Sequence, residues 1–480
     1  MEDLTWTGSL GTFLDPLLFV LVPLFALAVV ARILLSFFEP DTGTQANPDG
    51  TLVATGGIWS LSARIMTWLG AALVVLVLLY VVLGVVMGTG AGILGGISQR
   101  LTPVWIALIV TFWVSIHFKR RLGLYGKLFD STIGMIGFGL VMFWVFVAVF
   151  TGLFDWIATH DALSQVSGMK NKGPGIPLRG AEQGEYPYYL LGGDNLARDV
   201  FSRVIKGSTI VIAIAPLATL FAFMVGITLG LPAGYYGGKL DTLLSFLANL
   251  ILAFPVILLF YLLVTPEIVL TGLPQYMGVV LFAFPLIFFG VLIQSRFRTQ
   301  PEKNSLWLAI VLIPLFLAYM SLINEDGSKI SFWPLDFFDI NAGILVVFVS
   351  VVFVNSPTVF RIVRGLAMDI KTRDYVAAAQ TRGERPWYIM LWEILPNARG
   401  PLIVDFCLRI GYTTILLGTL GFFGLGLPPE SPDWGSTINE GRKLLSIYLH
   451  PALPPAIALL SLVLGLNLLA DGLREESLRD

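Results

Sequence analysis

The chain has 480 residues, 56% of them hydrophobic and 13% charged, with a mean hydropathy of +0.81. That is too little charge, and too many long apolar runs, for a water-soluble enzyme, so the sequence reads as a polytopic membrane protein. A formal net charge of -2 excludes the basic excess of a nucleic-acid binder and offers no acidic tail to recruit basic partners.

The N-terminus, MEDLTWTGSL, carries Glu2 and Asp3 and no Lys or Arg before the first apolar run. It lacks the basic region that opens a signal peptide, so that run is expected to stay as a span. Crossing a hydrocarbon core of roughly 30 Å takes about 17–25 residues, and about eleven runs are long enough. In chain order they are 14–38, 66–87, 101–117, 131–157, 208–231, 242–264, 276–294, 306–323, 342–360, 402–426 and 452–470. Each is continuously apolar and does not alternate, which predicts helices in place of barrel strands, because a helix satisfies its own backbone inside lipid. Residues 38–57, with EPDTGTQANPDG at their centre, read as a turn-rich linker. GTGAGILGG, residues 88–96, reads as a flexible or close-packed turn between spans, and 324–340, with NEDGSK and FWPLDFF, as an interfacial outer loop with its rings at headgroup depth.

Orientation follows from where Lys and Arg gather beside the spans. Lys119, Arg120, Arg121 and Lys127 form one cluster; Arg296, Arg298 and Lys303 a second; Arg361, Arg364, Lys371, Arg373, Arg382 and Arg385 the densest. Eleven crossings from an outside N-terminus put all three inside, together with the tail LREESLRD. The long loop 157–207 then falls outside despite Lys170, Lys172, Arg179, Arg198, Arg203 and Lys206. Long loops obey the rule weakly, and Asp161, Glu182, Glu185, Asp194 and Asp199 balance this one.

Chemistry-bearing residues are sparse. Cys407 is the one cysteine and lies in an apolar run, so no disulfide can form within the chain. His117, His160 and His450 are far apart, no HExxH or CxxC occurs, and the reading is a packed thiol, three interfacial imidazoles and no metal site. Asp405 and Arg409 stand at i and i+4 in one span, where an isolated charge is costly, and are expected to pair within the helix. Asn249, Asn355 and Asn467 are read as hydrogen-bond partners between helices.

The polar island 361–396 stands out against these runs. Within it RDYVAAAQTRGERPWYIMLWEILPN places small residues at Ala377, Ala378 and Ala379 and a helix-breaking Gly383. A second short helix is predicted to open at Pro386 and end at Pro396. Small residues allow close approach and a glycine hinge between short helices makes an elbow, so the island reads as a docking device. Trp387, Met390, Leu391 and Ile394 form an apolar face on the second helix, suited to a partner's groove on one side and to the protein's own bundle on the other. Arg382, Arg385 and Glu393 are placed as weak rim contacts.

Four flanking blocks and the elbow carry a family resemblance. LGGDNLARDVFSRVIKGS (191–208), GYYGGKLDTLLSFLANLILAFP (234–255), PPESPDWGSTINEGRKLL (428–445) and NLLADGLRE (467–475) occur in the order seen in permease subunits of ATP-binding-cassette importers. The closest resemblance is to the peptide-type subunit of dipeptide, oligopeptide and nickel systems. Gly193 stands where that family usually has threonine, Ala197 where it has glycine, and Ala377 where its cytoplasmic motif has glutamate. The resemblance implies an all-α type I importer fold, with a six-helix core, three added N-terminal helices and two inserted ones. The expected division is 1–127 for the additional helices and 128–480 for the permease domain, with an insertion near 266–339 read as lipid-facing packing.

It also implies a role: half of a translocation path for peptides, coupled to ATPase subunits through 361–396. Asp374, Ala377, Ala378, Ala379, Gly383, Pro386, Trp387, Leu391 and Pro396 would carry that coupling loop. The partners it implies are a sister permease, two ATP-binding subunits, an extracytoplasmic binding protein and membrane lipid. ATP with Mg would sit on the partners, since this chain has no glycine-rich phosphate loop ending in Gly-Lys-Ser or Gly-Lys-Thr and no cofactor of its own is expected. The location implied is the inner membrane, with the C-terminus cytoplasmic. The alternatives are an ion-coupled secondary transporter of a small solute, which would need membrane-embedded acids and inverted repeats, and a membrane-embedded hydrolase, which would need a facing nucleophile and base.

Overall fold

The computed structural model describes residues 2–37, 44–46, 52–54, 58–180, 184–323, 342–425 and 431–477. In chain order the first helix is α1 (Gly11–Ser36), followed by the antiparallel pair β1 (Thr44–Ala46) and β2 (Leu52–Ala54), with Thr44 opposite Ala54. Next come α2 (Ile58–Met87), α3 (Gly92–Arg100), α4 (Thr102–Phe118), α5 (Gly123–Lys127) and α6 (Thr132–Gly152). A long loop holds β3 (Ile176–Pro177) and β4 (Tyr188–Tyr189), and then α7 (Val200–Tyr236), α8 (Gly238–Leu252), α9 (Val256–Val264), α10 (Pro266–Leu270), α11 (Leu273–Arg296) and α12 (Pro301–Ile323) follow. The last stretch comprises α13 (Ala342–Ile370), α14 (Asp374–Thr381), α15 (Pro386–Tyr388), a π-helical turn (Ile389–Ile394), α16 (Leu395–Asn397), α17 (Arg399–Phe423), α18 (Trp434–Arg442) and α19 (Leu453–Ser477).

Ten described helices are long and apolar enough to cross a membrane, and α8 with α9 makes an eleventh as a span bent by 81°. Each predicted run has its counterpart. The continuous helix predicted over 242–264 is corrected, because the chain breaks before Pro255, whose ring crowds the preceding turn and which lacks an amide donor. The predicted interfacial loop 324–340, the linker 38–57 outside the two short strands, and part of the predicted tail lie outside the described residues.

The chain forms two compact units, one of residues 1–105 with 156–202 and one of 106–155 with 203–480. In the first, α1, with Leu10 just before it, packs on α2 through Leu14, Leu18, Leu76 and Tyr80. The Tyr80 hydroxyl donates to Asp15 Oδ1 at 2.6 Å, and Thr7 Oγ1 to Oδ2 at 2.9 Å, so the acid within the first span is partnered. The glycine-rich turn is close-packed: the amides of Ile93 and Leu94 donate to the carbonyls of Thr5 and Trp6, each at 3.0 Å. The N-terminal segment also reaches the long loop, Leu4 N donating to the Gly175 carbonyl at 2.9 Å.

In the second unit α7 lies against α13 along Gly226, Gly230 and Gly234. A Cβ added to Gly226 would come within 2.5 Å of Val359, and one on Gly234 within 2.6 Å of the Arg364 carbonyl, so glycine at every fourth position lets the two backbones touch. Helix α6 packs on α19, and Trp144 donates to Ser461 at 2.8 Å. The inserted helices differ from the lipid-facing reading in one half. The apolar window of α12 is 0% buried, as expected, but α11 buries Leu281, Phe282 and Ile293. Its Phe282 ring sits 5.4 Å from Phe221 of α7 and 5.6 Å from Phe348 of α13, edge-on to each, inside the core.

Candidate functional site

The elbow leaves the end of α13 and begins with Arg373 in an extended conformation before α14. Asp374 sits in the first turn, where a negative charge favours the helix dipole. The helix ends on Gly383 at φ +78°. The amide of Gly383 donates to the Gln380 carbonyl at 2.9 Å and that of Glu384 to the Ala379 carbonyl at 3.2 Å, a complete Schellman stop. Arg385 is extended and Pro386 opens α15, where its missing donor and fixed φ suit a first helical position. The predicted end at Pro396 is corrected to Asn397, because the π turn and α16 carry the helical path past it.

Burial divides the elbow into two faces. Val376, Ala379, Ile389, Met390, Leu391 and Ile394 are buried among Phe223, Leu231, Val359, Val363 and Ala367 of α7 and α13. Asp374, Tyr375, Ala377, Ala378, Gln380, Thr381, Arg382, Gly383, Arg385 and Pro396 are exposed, and Pro386 and Trp387 are half-buried. The apolar face of the second helix, expected to serve a partner as well as the bundle, is thus consumed by the protein's own packing at Met390, Leu391 and Ile394. The first helix presents the open surface.

Polar contacts lock this arrangement. Gln380 donates to the Tyr235 hydroxyl at 3.2 Å, Lys371 to the Gly234 carbonyl at 2.8 Å, and Arg382 to Glu393 across the elbow at 2.9 Å. The last pair is the one predicted as rim contacts, and it closes within the chain. Arg364 forms a two-pronged pair with Asp241 of α8, and Arg361 donates to Asn249 at 2.9 Å. Much of the densest basic cluster therefore joins helices. Asp405 and Arg409 pair within α17 at 2.6 Å, and Asn355 donates to Thr413 at 3.3 Å, both as expected. Asn467 faces Gly411.

The first part of the block, residues 191–202, builds a polar knot in the first unit. Asp194 accepts from the amides of Leu196 and Arg198 at 2.8 and 2.9 Å and from Arg198 Nε at 2.7 Å. Ala197, where the family pattern has glycine, adopts φ +62°. A left-handed alanine costs about 1–2 kcal/mol, partly offset by burying its methyl, worth roughly 0.8 kcal/mol. Gly193, where threonine is usual, has no room for a Cβ, which would meet the Met169 carbonyl. Asp199 caps α7 by accepting from the amides of Phe201 and Ser202, each at 3.2 Å, and also takes Ser202 Oγ at 2.6 Å and Thr159 Oγ1 at 2.7 Å.

His160, read from sequence as interfacial, is buried in this knot, its side chain 4% exposed. Nδ1 faces Asp199 Oδ2 at 3.3 Å and Nε2 faces the Tyr186 carbonyl at 2.9 Å. Both partners accept, so an imidazolium with two N–H donors satisfies both. Burial alone would lower its pKa, but the bond and charge of Asp199, the Tyr186 carbonyl and the charge of Glu185 together raise it above 6.5. The rings of Tyr186 and Tyr189 also face it, at 6.3 and 4.9 Å, and Arg100 lies over Tyr186 at 4.4 Å. A raised folded pKa contributes stability that is full below the unfolded value near 6.5 and is lost as pH rises through the folded one. Amide exchange at Thr159 and His160 is therefore expected to speed up on going from acid to alkaline pH, beyond the intrinsic rate. His160→Gln will flatten that response.

A second polar knot, in the second unit, joins the start of α7 to α18. Arg203, fully buried, donates to Thr437 Oγ1 from Nε at 3.3 Å and Nη2 at 3.1 Å and lies 3.6 Å from Glu440. Trp434 donates to the Val204 carbonyl at 2.8 Å. Asp433 caps α18 through the Ser436 amide at 2.9 Å, and burial raises its pKa against the opposing bonds of Ser436 and the charge of Arg203.

A family profile described as "Binding-protein-dependent transport system inner membrane component" matches residues 304–475. The chain is similar to the glutathione transport system permease protein of Pectobacterium atrosepticum, 30% identical over 293 residues, covering 61% of this chain and 73% of the relative. It is also similar to the dipeptide transport system permease protein of Haemophilus influenzae, 28% identical over 364 residues, covering 76% and 92%.

Proposed function

The chain belongs to the permease family of binding-protein-dependent ABC importers, in its peptide and nickel branch, and from that membership we propose that 361–396 couples it to an ATPase. The observation that carries this reading is the division of the elbow. Ala377, Ala378 and Gly383 lie open, with no Cβ larger than a methyl to hold a partner away, while Val376, Ala379, Met390 and Ile394 key the same segment into α7 and α13. A push on the open face is delivered to those helices.

In this reading the protein is half of the path, paired with a sister permease. Two ATP-binding subunits hydrolyse ATP with Mg, and an extracytoplasmic binding protein delivers substrate. Peptides are the proposed cargo, because the relatives are named for glutathione and dipeptide transport. The core is 128–480, the N-terminus lies outside and the elbow lies in the cytosol. Closure of the ATPases would turn the central cavity from one side to the other, driven by their differing affinity for the two states. A single cysteine near Gln380, in a Cys407→Ser background, is expected to react with an impermeant maleimide only from the cytosolic side. Labelling from outside would overturn both the orientation and the docking role.

A further inference from the structure

The inserted helix α11 reaches the elbow. Trp392 Nε1 donates to Ser295 Oγ at 3.0 Å, and the Arg296 guanidinium lies 4.8 Å over the Trp392 ring. Phe288, Val291 and Leu292 of α11 pack on the cluster that contains Ile389, Met390, Leu391 and Ile394. The helix is π-wound at this point, over Ile389–Ile394. An α-helix turns about 100° per residue, which would spread these apolar side chains over more than half its circumference. The wider π turn gathers them on one side and leaves Trp392 on the flank that meets α11. Such local distortions recur at functional positions.

At its other end α11 enters the core through Phe282, between Phe221 of α7 and Phe348 of α13, and through Gly278 beside Val349. One unbroken helix, with the buried Pro285 between its two ends, thus spans from the elbow to the aromatic centre of the bundle. We propose that α11 is a transmission helix, with Ser295 and Arg296 acting as positioning residues that seat Trp392 so that the elbow and α11 move as one body. This rests on the docking role of the elbow and adds to it a part that the six-helix core lacks. Beside this contact the two elements part around a cavity of about 530 Å³, lined by Gln294 and Arg298 on the α11 side and by Gly383, Arg385 and Trp387 on the elbow side, so the joint rests on the Trp392 contacts and the apolar packing next to them.

The test uses the assembled importer in nanodiscs, with Cys407→Ser and nitroxide labels at pairs of three exposed sites: Thr299 after α11, Asn397 at the end of the elbow and Asp471 on α19. Distances are compared without nucleotide and after trapping with ATP and vanadate, so no cargo is required. The expected result is that the 397–471 and 299–471 distances shift together while 299–397 stays constant. With Ser295→Ala and Trp392→Phe combined, 299–397 is expected to broaden and 299–471 to stop following, and Ser295→Thr, which keeps the hydroxyl, is expected to restore the parent behaviour. A 397–471 shift with an unmoved 299–471 distance in the parent protein would overturn the transmission role alone. An unmoved 397–471 distance would remove the elbow reading beneath it.

Discussion

Replacing Gly383 with valine is expected to leave the chain inserted in the membrane and to cut coupled uptake about ten-fold while ATP hydrolysis continues. A Cβ at this position meets nothing within 4 Å, so steric overlap with neighbours is not the cause. The cost lies in the backbone. Gly383 is left-handed at φ +78°, and its amide and that of Glu384 close the end of α14. Forcing an L-residue into that region costs about 1–2 kcal/mol, and more for a β-branched one. That shifts the ratio of closed to open elbow about 5–30-fold. Opening it would separate the exposed Ala377 and Ala378 from the buried Met390 and Ile394, so a partner's push would reach a loose end. Gly383→Asn, whose side chain tolerates the left-handed region, is expected to keep most of the activity. Uptake and hydrolysis measured in the same proteoliposomes check both, and normal coupled uptake in the valine variant would count heavily against the docking role.

The spans were legible because lipid leaves the chain one economical option: each membrane-length apolar run became a helix or, before Pro255, a bent pair. The elbow's hinge was legible for the same kind of reason, since few residues other than glycine end a helix at φ +78°. What composition could not reveal is which side of a short helix faces inward. Met390, Leu391 and Ile394 form one face on any helix and looked equally suited to a partner, and only the packing against α7 and α13 decides that all three are spent on the bundle. The role of α11 was hidden because an apolar run facing lipid and one facing protein have the same composition. The contact between Ser295 and Trp392 joins residues far apart in sequence. His160 and Arg203 were misplaced or unassigned because burying a charge depends on partners that the fold supplies from afar. Tyr186 and Asp199 do so for His160, and Thr437 and Glu440 for Arg203.

Arg203→Ala is expected to destabilise the second unit by about 2–5 kcal/mol, because it empties the space of a fully buried side chain and leaves the buried Asp433 without the positive charge that faces it. Arg203 is fully buried, and its loss removes the cation 3.6 Å from Glu440, takes two donors from Thr437 Oγ1 and removes the positive charge that restrains Asp433. The Asp433 carboxyl is already raised by burial and would rise further. An acid whose folded pKa exceeds its unfolded value near 3.8 favours the folded state most when protonated, and that advantage is lost as pH climbs through the window between the two. The defect of Arg203→Ala is therefore expected to be larger at pH 7 than at pH 4. Arg203→Lys keeps the charge but not the planar fork that addresses Thr437 from two nitrogens, and is expected to fall between parent and alanine. Melting of the purified permease, followed by the intrinsic fluorescence of its twelve tryptophans, of which Trp434 and Trp144 lie beside this knot with rings 4.9 Å apart, checks the change. An alanine variant that melts with the parent at both pH values would mean that α18 is held by the packing of Trp434 and its bond to the Val204 carbonyl, with the buried charges near balance without Arg203.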